Sequence, residues 1–383
     1  MKQKICILGS TGSIGISTLN ILSKDKKNFE VLLLSANQNS KLLLKQANIF
    51  KPKYIYTNNL ILINKIKNFC KKKKILIIDD INSLKKIKFD ITVSAISGIA
   101  GLIPTINIIK FSKKILIANK ESIICGWKFI NKELIKFNCT FVPIDSEHFS
   151  IFKLIKGQNK NFIKKIYLTA SGGPFFKKNI NLKKVTPIQA TKHPNWKMGK
   201  KISTDSANLM NKILEIIEAS LIFNIPISKF SILIHPESLI HALIEYNNGV
   251  STMMYHHNNM KIPISNAIYE NFYAKDSNNI SDYVKQYKNK FSFHKVNEKR
   301  FPAIKILKIK SILNQKGFIL INSLNEILVQ RYFDKHIQFP DIVNKLLNIL
   351  KMQVVKNYLK NNKIHNINNV FKAYYFCKNQ IQQ

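Results

Sequence analysis

Arginine, acid and patterned cysteine are all scarce in this chain of 383 residues. Only Arg300 and Arg331 are arginines among 61 basic residues, which face 21 acidic ones and leave a formal net charge of +40. Arginine's planar fork reads guanine and phosphate bidentately, whereas lysine offers a point charge. The lysines are spread along the whole chain, with one dense run at 71–74. They accompany a surplus of Ile and Asn, which reads as a mutational bias loading permissive surface positions. A specific nucleic-acid partner is therefore not expected. Cys6, Cys70, Cys125, Cys139 and Cys377 are odd in number and never spaced Cys-x-x-Cys. That pattern excludes a disulfide scaffold and a thiolate zinc site, and favours a reducing compartment. No apolar run approaches the roughly 18 residues a membrane span needs, and the first residues lack a signal-peptide pattern. No membrane partner and a cytoplasmic location are expected. Internal repeats and low-complexity tracts are also missing.

What is present is a 45% hydrophobic fraction, enough for a sizeable core. Over the first 145 residues, short β-branched runs at 4–8, 30–34, 54–56, 75–78, 91–94, 115–118 and 140–144 alternate with helix-length segments. That is the pattern of βαβ units around a parallel sheet. From 146 to 270, glycine, proline and histidine cluster. Strands are expected at 165–169 and 231–234, with one strong helix over 206–223 capped by Asp205 or Thr204. A polar linker is expected over 271–296, and apolar residues at helical spacing then predict a small helical domain over 297–383.

Gly9-Ser-Thr-Gly12-Ser-Ile-Gly15 follows the first strand and opens a helix. Glycines there permit a tight turn and close backbone approach to a pyrophosphate, which the helix N-terminus attracts. The three-and-three spacing differs from the usual dinucleotide fingerprint. After the second strand, Asn37-Gln38-Asn39 supplies no acid to bind a ribose 2′-hydroxyl, which permits NADP.

Asp145 and Glu147, in Asp145-Ser-Glu-His148, are expected on one side of an extended segment. Two carboxylates so close require a proton or a hard cation between them. Asn208, Asn211, Glu215 and Glu218 form the polar stripe of the helix at 206–223, with Lys212 beside it. Asp145, Glu147 and Glu215 together make an oxygen-rich set suited to Mg²⁺ or Mn²⁺, with Co²⁺ a further candidate. Ser171-Gly-Gly173, Ser203-Thr-Asp-Ser206 and Pro236-Glu-Ser238 are loops able to hold a phosphate. His193 and Trp196 lie in a turn-rich loop suited to act as a lid over 193–201. His235, His256 and His257 read as structural or surface residues. Two rival readings remain at this point. One is an NADP-dependent semialdehyde-type dehydrogenase, which needs an activated cysteine such as Cys125 or Cys139. The other is a basic nucleic-acid-binding protein.

Taken in order, these motifs form a set. The glycine turn is followed by Ala118-Asn-Lys-Glu-Ser122, Asp145-Ser-Glu-His148, Thr169-Ala-Ser-Gly-Gly-Pro-Phe175 and His193-Pro-Asn-Trp-Lys-Met-Gly199. Lys201-Ile-Ser-Thr-Asp-Ser-Ala207, Asn211-Lys-Ile-Leu-Glu-Ile-Ile-Glu-Ala219 and His235-Pro-Glu-Ser238 complete it. The chain closely resembles the 1-deoxy-D-xylulose 5-phosphate reductoisomerases of the non-mevalonate isoprenoid route. The resemblance is strong over 1–270. Beyond that it rests on length and on Asn325-Glu326.

The resemblance implies an α/β chain with an N-terminal Rossmann-like NADPH-binding domain (1–145), a central α+β catalytic and dimerisation domain (146–270) and a C-terminal helical domain. It implies a homodimer acting on a sugar phosphate with NADPH and one divalent cation. The metal ligands would be Asp145, Glu147 and Glu215, with Lys120, His193 and Trp196 joining them in catalysis. Substrate would lie on Lys120, Ser146, Glu147, Ser171, His193, Ser206, Asn211, Lys212, Glu215 and Ser238. NADPH would contact Thr11, Gly12, Ser13, Ile14, Asn37, Gln38, Asn39, Asn119, Glu121 and Gly199, while Met198 joins Trp196 in the closing loop. Two departures stand out. Asn37-Gln38-Asn39 replaces a frequent Gly-Lys-Asn, and Asn258-Asn-Met-Lys-Ile-Pro-Ile264 replaces Pro-Asp-Met-Arg-x-Pro-Ile.

Overall fold

The computed structural model describes residues 1–85, 87–176, 180–196, 198–269 and 291–382. The chain forms two compact units. One holds Met1–Asp145 and the helix Lys261–Tyr269; the other holds Ser146–Asn259 and the described residues from 291 onward. Most of the linker expected over 271–296 lies outside the described residues.

In the first unit, seven strands form one parallel sheet. They are β1 (Gln3–Leu8), β2 (Phe29–Ser35), β3 (Tyr54–Tyr56), β4 (Leu76–Ile78), β5 (Phe89–Ser94), β6 (Ser112–Ile117) and β7 (Thr140–Pro143). Their spatial order is β4-β3-β2-β1-β5-β6-β7, and each neighbouring pair is parallel. A sheet covered on both faces selects continuous apolar strands rather than alternating ones. Accordingly Ile5, Cys6, Ile7 and Leu8 are all buried, as are Ile115, Leu116 and Ile117. The order reverses between β1 and β5, so the crevice at the carboxyl ends of those strands is the switch point where ligands bind in open α/β sheets. The helix Lys261–Tyr269 packs on the helix Ser13–Ser23. Tyr269 stacks edge-on to Phe29 with ring centroids 5.4 Å apart, and its hydroxyl donates to Asp25 at 3.1 Å.

The second unit is built on a mixed sheet of β8 (Ile163–Ala170), β9 (Phe230–Ile234), β10 (Ile240–Tyr246), β11 (Ser251–Tyr255) and β12 (His294–Lys295). The order is β11-β10-β8-β9-β12, parallel only between β8 and β9. The helix Ser146–Leu154 packs on β10 and β11, the helix Met210–Phe223 on β8 and β9, and the two helices touch each other. Four longer helices follow, Gln315–Phe333, Phe339–Lys351, Gln353–Asn361 and Ile367–Gln382, as the apolar spacing of the tail predicts. The stretch 302–312 forms 3₁₀ turns instead. Among the described residues, no helix is long and apolar enough to cross a membrane.

Two local expectations need correction. The single helix expected over 206–223 is two helices, Lys200–Ala207 and Met210–Phe223, broken at Asn208 and Leu209. Leu209 takes φ 70°, a left-handed conformation that costs an L-residue about 1–2 kcal/mol. Burial of its side chain and an Asn208 Oδ1 cap on the Met210 N–H (3.0 Å) offset that cost. Asp205 therefore lies inside a helix rather than capping one. The segment after Asp145 is helical, not extended: Asp145 immediately precedes the helix Ser146–Leu154, and Glu147 occupies its first turn. Of the two roles open to His235, His256 and His257, the structural one holds, since all three are buried.

Candidate active site

At the end of β1, Gly9 adopts φ +81°, and a Cβ there would lie 2.5 Å from the Ala95 carbonyl oxygen beyond β5. Only glycine lets the two strand ends close up this way. Gly12 precedes the helix Ser13–Ser23 without any side-chain cap, so the first N–H groups of the helix are left for an anion. Thr11, Ser13 and Ile14 sit on the same turn. The polar residues around it fall into two kinds. Asn39 caps the helix Ser40–Phe50 by accepting from the Leu42 N–H (3.0 Å), and Asn37 accepts from Asn59 Nδ2 through its carbonyl at 2.7 Å. Asn119 is buried, accepts from the Ser122 N–H (2.7 Å), and donates through Nδ2 to the carbonyls of Ile96 and Gly98. Its side chain is thereby committed to shaping the loop after β5. Gln38 is exposed and Glu121 half-buried.

The carboxylates converge. Asp145, Glu147 and Glu215 each offer an oxygen within 4.8 Å of the other two. Asp145 is held next to Glu147 by two peptide bonds, and Glu215 comes from the neighbouring helix Met210–Phe223. Lys120 pairs with Asp145, and Lys212 bridges Glu147 and Glu215 (2.6 Å to the latter). Asn211 Nδ2 donates to Glu215 Oε1 at 2.5 Å, and Ser146 Oγ donates to Glu147. Burial alone would depress the Lys212 ammonium, but the charges of Glu147 and Glu215 outweigh it and carry its pKa above the ordinary lysine value. Three carboxylates against two ammonium groups leave one net negative charge among hard oxygen donors, a set that suits Mg²⁺ or Mn²⁺ over softer metals. Asn211, Lys212 and Glu215 thus face this group rather than solvent, as the polar-stripe pattern alone would have had them; Glu215 and Glu218 are buried.

Behind the carboxylates stands a residue that sequence reasoning left out. His148 Nε2 lies 2.9 Å from the Glu215 carbonyl oxygen, which can only accept, so Nε2 carries the proton. His148 Nδ1 lies 3.6 Å from a Glu218 oxygen, and both side chains are buried. The ring braces the helix that presents Glu215. Its only signal was its place in the Asp-Ser-Glu-His run.

Three loops meet in the same unit. His193 Nδ1 accepts the backbone N–H groups of Asn195 (3.1 Å) and Trp196 (3.0 Å), so its proton resides on Nε2, which donates to Ser171 Oγ at 2.9 Å. Ser171 Oγ also accepts the Gly173 N–H (3.1 Å), which leaves its own hydroxyl proton for another acceptor. Burial first, and the Lys212 charge second, hold the His193 pKa down at about 4. Asn195 Nδ2 donates to the Pro236 carbonyl (2.8 Å) and to Ser238 Oγ (2.9 Å). Gly173, at φ +70°, would place a Cβ 3.0 Å from the Ser206 carbonyl oxygen, so this turn lies against the end of the helix bearing Ser206. Trp196 packs edge-on to His241, with centroids 6.0 Å apart. Asp205, buried, holds Lys201 at 2.9 Å and accepts from Asn325 Nδ2 at 2.9 Å, tying the helix before Glu215 to the C-terminal helices. Met198 is half-buried, and Gly199 precedes the helix Lys200–Ala207 with open space where a Cβ would stand.

All five cysteines are buried, and burial pushes the Cys139 thiol up to about 11. A thiolate nucleophile is therefore not on offer, which removes the semialdehyde-type alternative.

A doubly wound parallel sheet with a glycine turn at its switch point is the fold of nucleotide-dependent oxidoreductases. Comparison with known proteins makes the class specific. Residues 5–126 match the model of 1-deoxy-D-xylulose 5-phosphate reductoisomerase, while 141–223 and 257–377 match two models of its C-terminal domains. The 1-deoxy-D-xylulose 5-phosphate reductoisomerase of Pelagibacter ubique is 47% identical over 360 residues, covering 91% of this chain and 90% of that protein. The Zymomonas mobilis reductoisomerase, solved in complex with NADPH, superposes with a TM-score of 0.86 at 30% identity, over 99% of this chain and 98% of that one. A reductoisomerase solved with NADPH, fosmidomycin and magnesium gives a TM-score of 0.88 at 29% identity and the same coverage. The chain belongs to the 1-deoxy-D-xylulose 5-phosphate reductoisomerase family.

Proposed function

We propose that this protein converts 1-deoxy-D-xylulose 5-phosphate into 2-C-methyl-D-erythritol 4-phosphate, using NADPH and one divalent cation. The observation that carries the reading is the meeting of Asp145, Glu147 and Glu215 beside Lys120 and Lys212. These carboxylates would hold the cation, Mg²⁺ or Mn²⁺. When bound, it supplies a Lewis acid and a template for the carbonyl and hydroxyl oxygens of the substrate. Lys120, Ser146, Asn211 and Lys212 surround that point with hydrogen-bond donors, orienting the sugar hydroxyls. The reaction moves a carbon–carbon bond to give a branched aldehyde phosphate, for whose reduction NADPH held at the glycine turn would supply the hydride.

The phosphate falls to Ser171, His193, Ser206 and Ser238. Neutral His193 donates to Ser171, so the Ser171 hydroxyl is poised to donate onward to a phosphate oxygen. Trp196 and the segment 193–201 would close over the bound sugar, excluding water, with the phosphate contributing binding energy remote from the reacting carbons. In this segment Lys197 lies outside the described residues. NADPH would lie over Thr11, Gly12, Ser13 and Ile14, with Asn37, Gln38, Asn39, Glu121 and Gly199 nearby and Asn119 acting through the loop it shapes. The three matched family models support a division into nucleotide-binding, catalytic and C-terminal helical domains. A homodimer working in the cytoplasm accords with this reading.

Glu215→Gln tests it. The neutral amide keeps the shape and removes one charge from the set, so turnover should fall on the order of 10²–10³-fold while NADPH affinity stays nearly unchanged. Turnover equal to the parent protein would refute the carboxylate assignment.

A further inference from the structure

Away from the carboxylates, the second unit contains a cavity of about 290 Å³. Its walls come from the break after the helix Lys200–Ala207, from residues 298–305 and from the start of the helix Phe339–Lys351. Phe339 and Val343 give it an apolar side, and Lys299, Arg300 and Lys305 a cationic one. Glu298 also lines it, but its carboxylate is paired with Lys308 at 2.5 Å. Arg300 is anchored by donating Nη2 to the Phe175 carbonyl at 2.8 Å.

Asn208 is the telling residue. It is 6% exposed and lines the cavity. Its Oδ1 accepts the Met210 N–H, which fixes the orientation of the amide, and its Nδ2 has no acceptor among the described residues. A buried donor left unmade is destabilising, so the site is complete only when an oxygen sits there. The volume is at the small end of ligand pockets, which start near ~300 Å³.

We infer that this cavity is a binding site for a small organic anion, its phosphate or carboxylate head beside Asn208 and Arg300 and its apolar body against Phe339 and Val343. Water alone would satisfy the amide but leaves the apolar wall of Phe339 and Val343 and the exposed Lys299 and Lys305 without a ligand to match them. The site shares the Asn208–Leu209 corner with the helix that carries Asn211, Lys212 and Glu215, so an occupant would touch the element that positions those side chains.

The experiment uses phenyl phosphate, benzoate and neutral benzamide on the full chain. Crystals are soaked with each, and affinities are measured calorimetrically in solution. Phenyl phosphate or benzoate should appear beside Asn208 and Arg300, and benzamide should not; comparing the two anions tells a phosphate site from a carboxylate site. Because Lys299 and Lys305 are exposed, the K299E/K305E variant should fold and should bind the anion at least about tenfold more weakly, or about 1.4 kcal/mol. The control K71E/K72E, with equal charge change in the other unit, should bind as the parent does. Water alone in the cavity, anion only at the Ser171 and Ser238 loops, equal binding of benzamide, or unchanged affinity in K299E/K305E would each overturn the inference.

Discussion

The two units solve the problem of holding a ligand in opposite ways. In the first, the candidate nucleotide site is mostly backbone: Gly9 and Gly12 shape a turn, and a helix N-terminus faces outward. Its nearby asparagines are largely occupied as helix caps and loop braces. In the second, the site consists of side chains from separate parts of the chain, held by one another: Glu147 to Lys212, Glu215 to Asn211, Ser171 to His193 and Asn195 to Ser238. A site made of main-chain groups tolerates drift in side-chain identity, such as Asn37-Gln38-Asn39 for Gly-Lys-Asn, provided the few glycines persist. A site made of interlocked charges does not.

The sharpest way to break that contrast is Lys212→Met. Removing one partner of a buried pair leaves uncompensated carboxylates and costs about 3–5 kcal/mol, so thermal stability without added metal should fall markedly. Mg²⁺ should restore more stability to this variant than to the parent, since the carboxylate set has gained net negative charge. Equal metal stabilisation in both proteins would count against the second unit's site being an interlocked charge network.

A pair of glycine changes probes the first unit. Gly9→Ala forces a Cβ into the Ala95 carbonyl at φ +81° and should cost about 1–3 kcal/mol by denaturant titration. Gly12 has φ −80°, and a Cβ there would meet nothing closer than 3.4 Å. Gly12→Ala should therefore leave stability nearly unchanged yet weaken NADPH by about tenfold, on the order of 1.4 kcal/mol, because a methyl group there would crowd a turn proposed to approach the pyrophosphate by its backbone. Should both alanines behave alike, the backbone reading of this turn is wrong.

Asn195→Ala should have a smaller effect, confined to substrate binding. It removes the two donations that hold the Pro236–Ser238 turn, so KM should rise by roughly tenfold with kcat nearly constant, the pattern of lost uniform binding. A fall in kcat of the same size would place Asn195 nearer the chemistry.

The most gradual expected effect is on pH dependence. With its pKa held near 4, folded His193 stays neutral while the unfolded residue takes up a proton below its usual 6.5. The stability it contributes is present above about pH 6.5 and lost as pH falls toward 4, with a slope of about 1 kcal/mol per pH unit at most. Urea titrations at pH 7, 6 and 5 should show a shallower decline for His193→Gln than for the parent. An identical slope would mean that His193 does not titrate as a buried neutral ring.

Much of the first unit was legible because parallel strands covered on both faces must be apolar throughout. Runs such as Ile5–Leu8 and Ile115–Ile117 therefore announce themselves, and expected and observed strands differ mainly by a residue or a few at their ends. The three converging carboxylates were also legible as residue types in ordered motifs. Their local geometry was not: Asp145 and Glu147 converge through a helix start rather than an extended segment. The break at Asn208–Leu209 was invisible because Asp-Ser-Ala-Asn-Leu-Met contains neither glycine nor proline. The left-handed Leu209 is supported by its burial and by the Asn208 cap, both products of packing.

From residue order alone came the alternation of strands and helices, the glycine turn, the absence of a reactive cysteine pattern and the family of the ordered motifs. These depend on local spacing and composition, which a linear chain carries explicitly. Tertiary structure decided that Glu215 and Glu218 are buried rather than solvated, that His148 braces the helix behind Glu215, and that His193 carries its proton on Nε2. Each of these depends on which distant groups come within a few ångströms, since burial, charge pairing and hydrogen-bond direction arise only once separate segments share the same space.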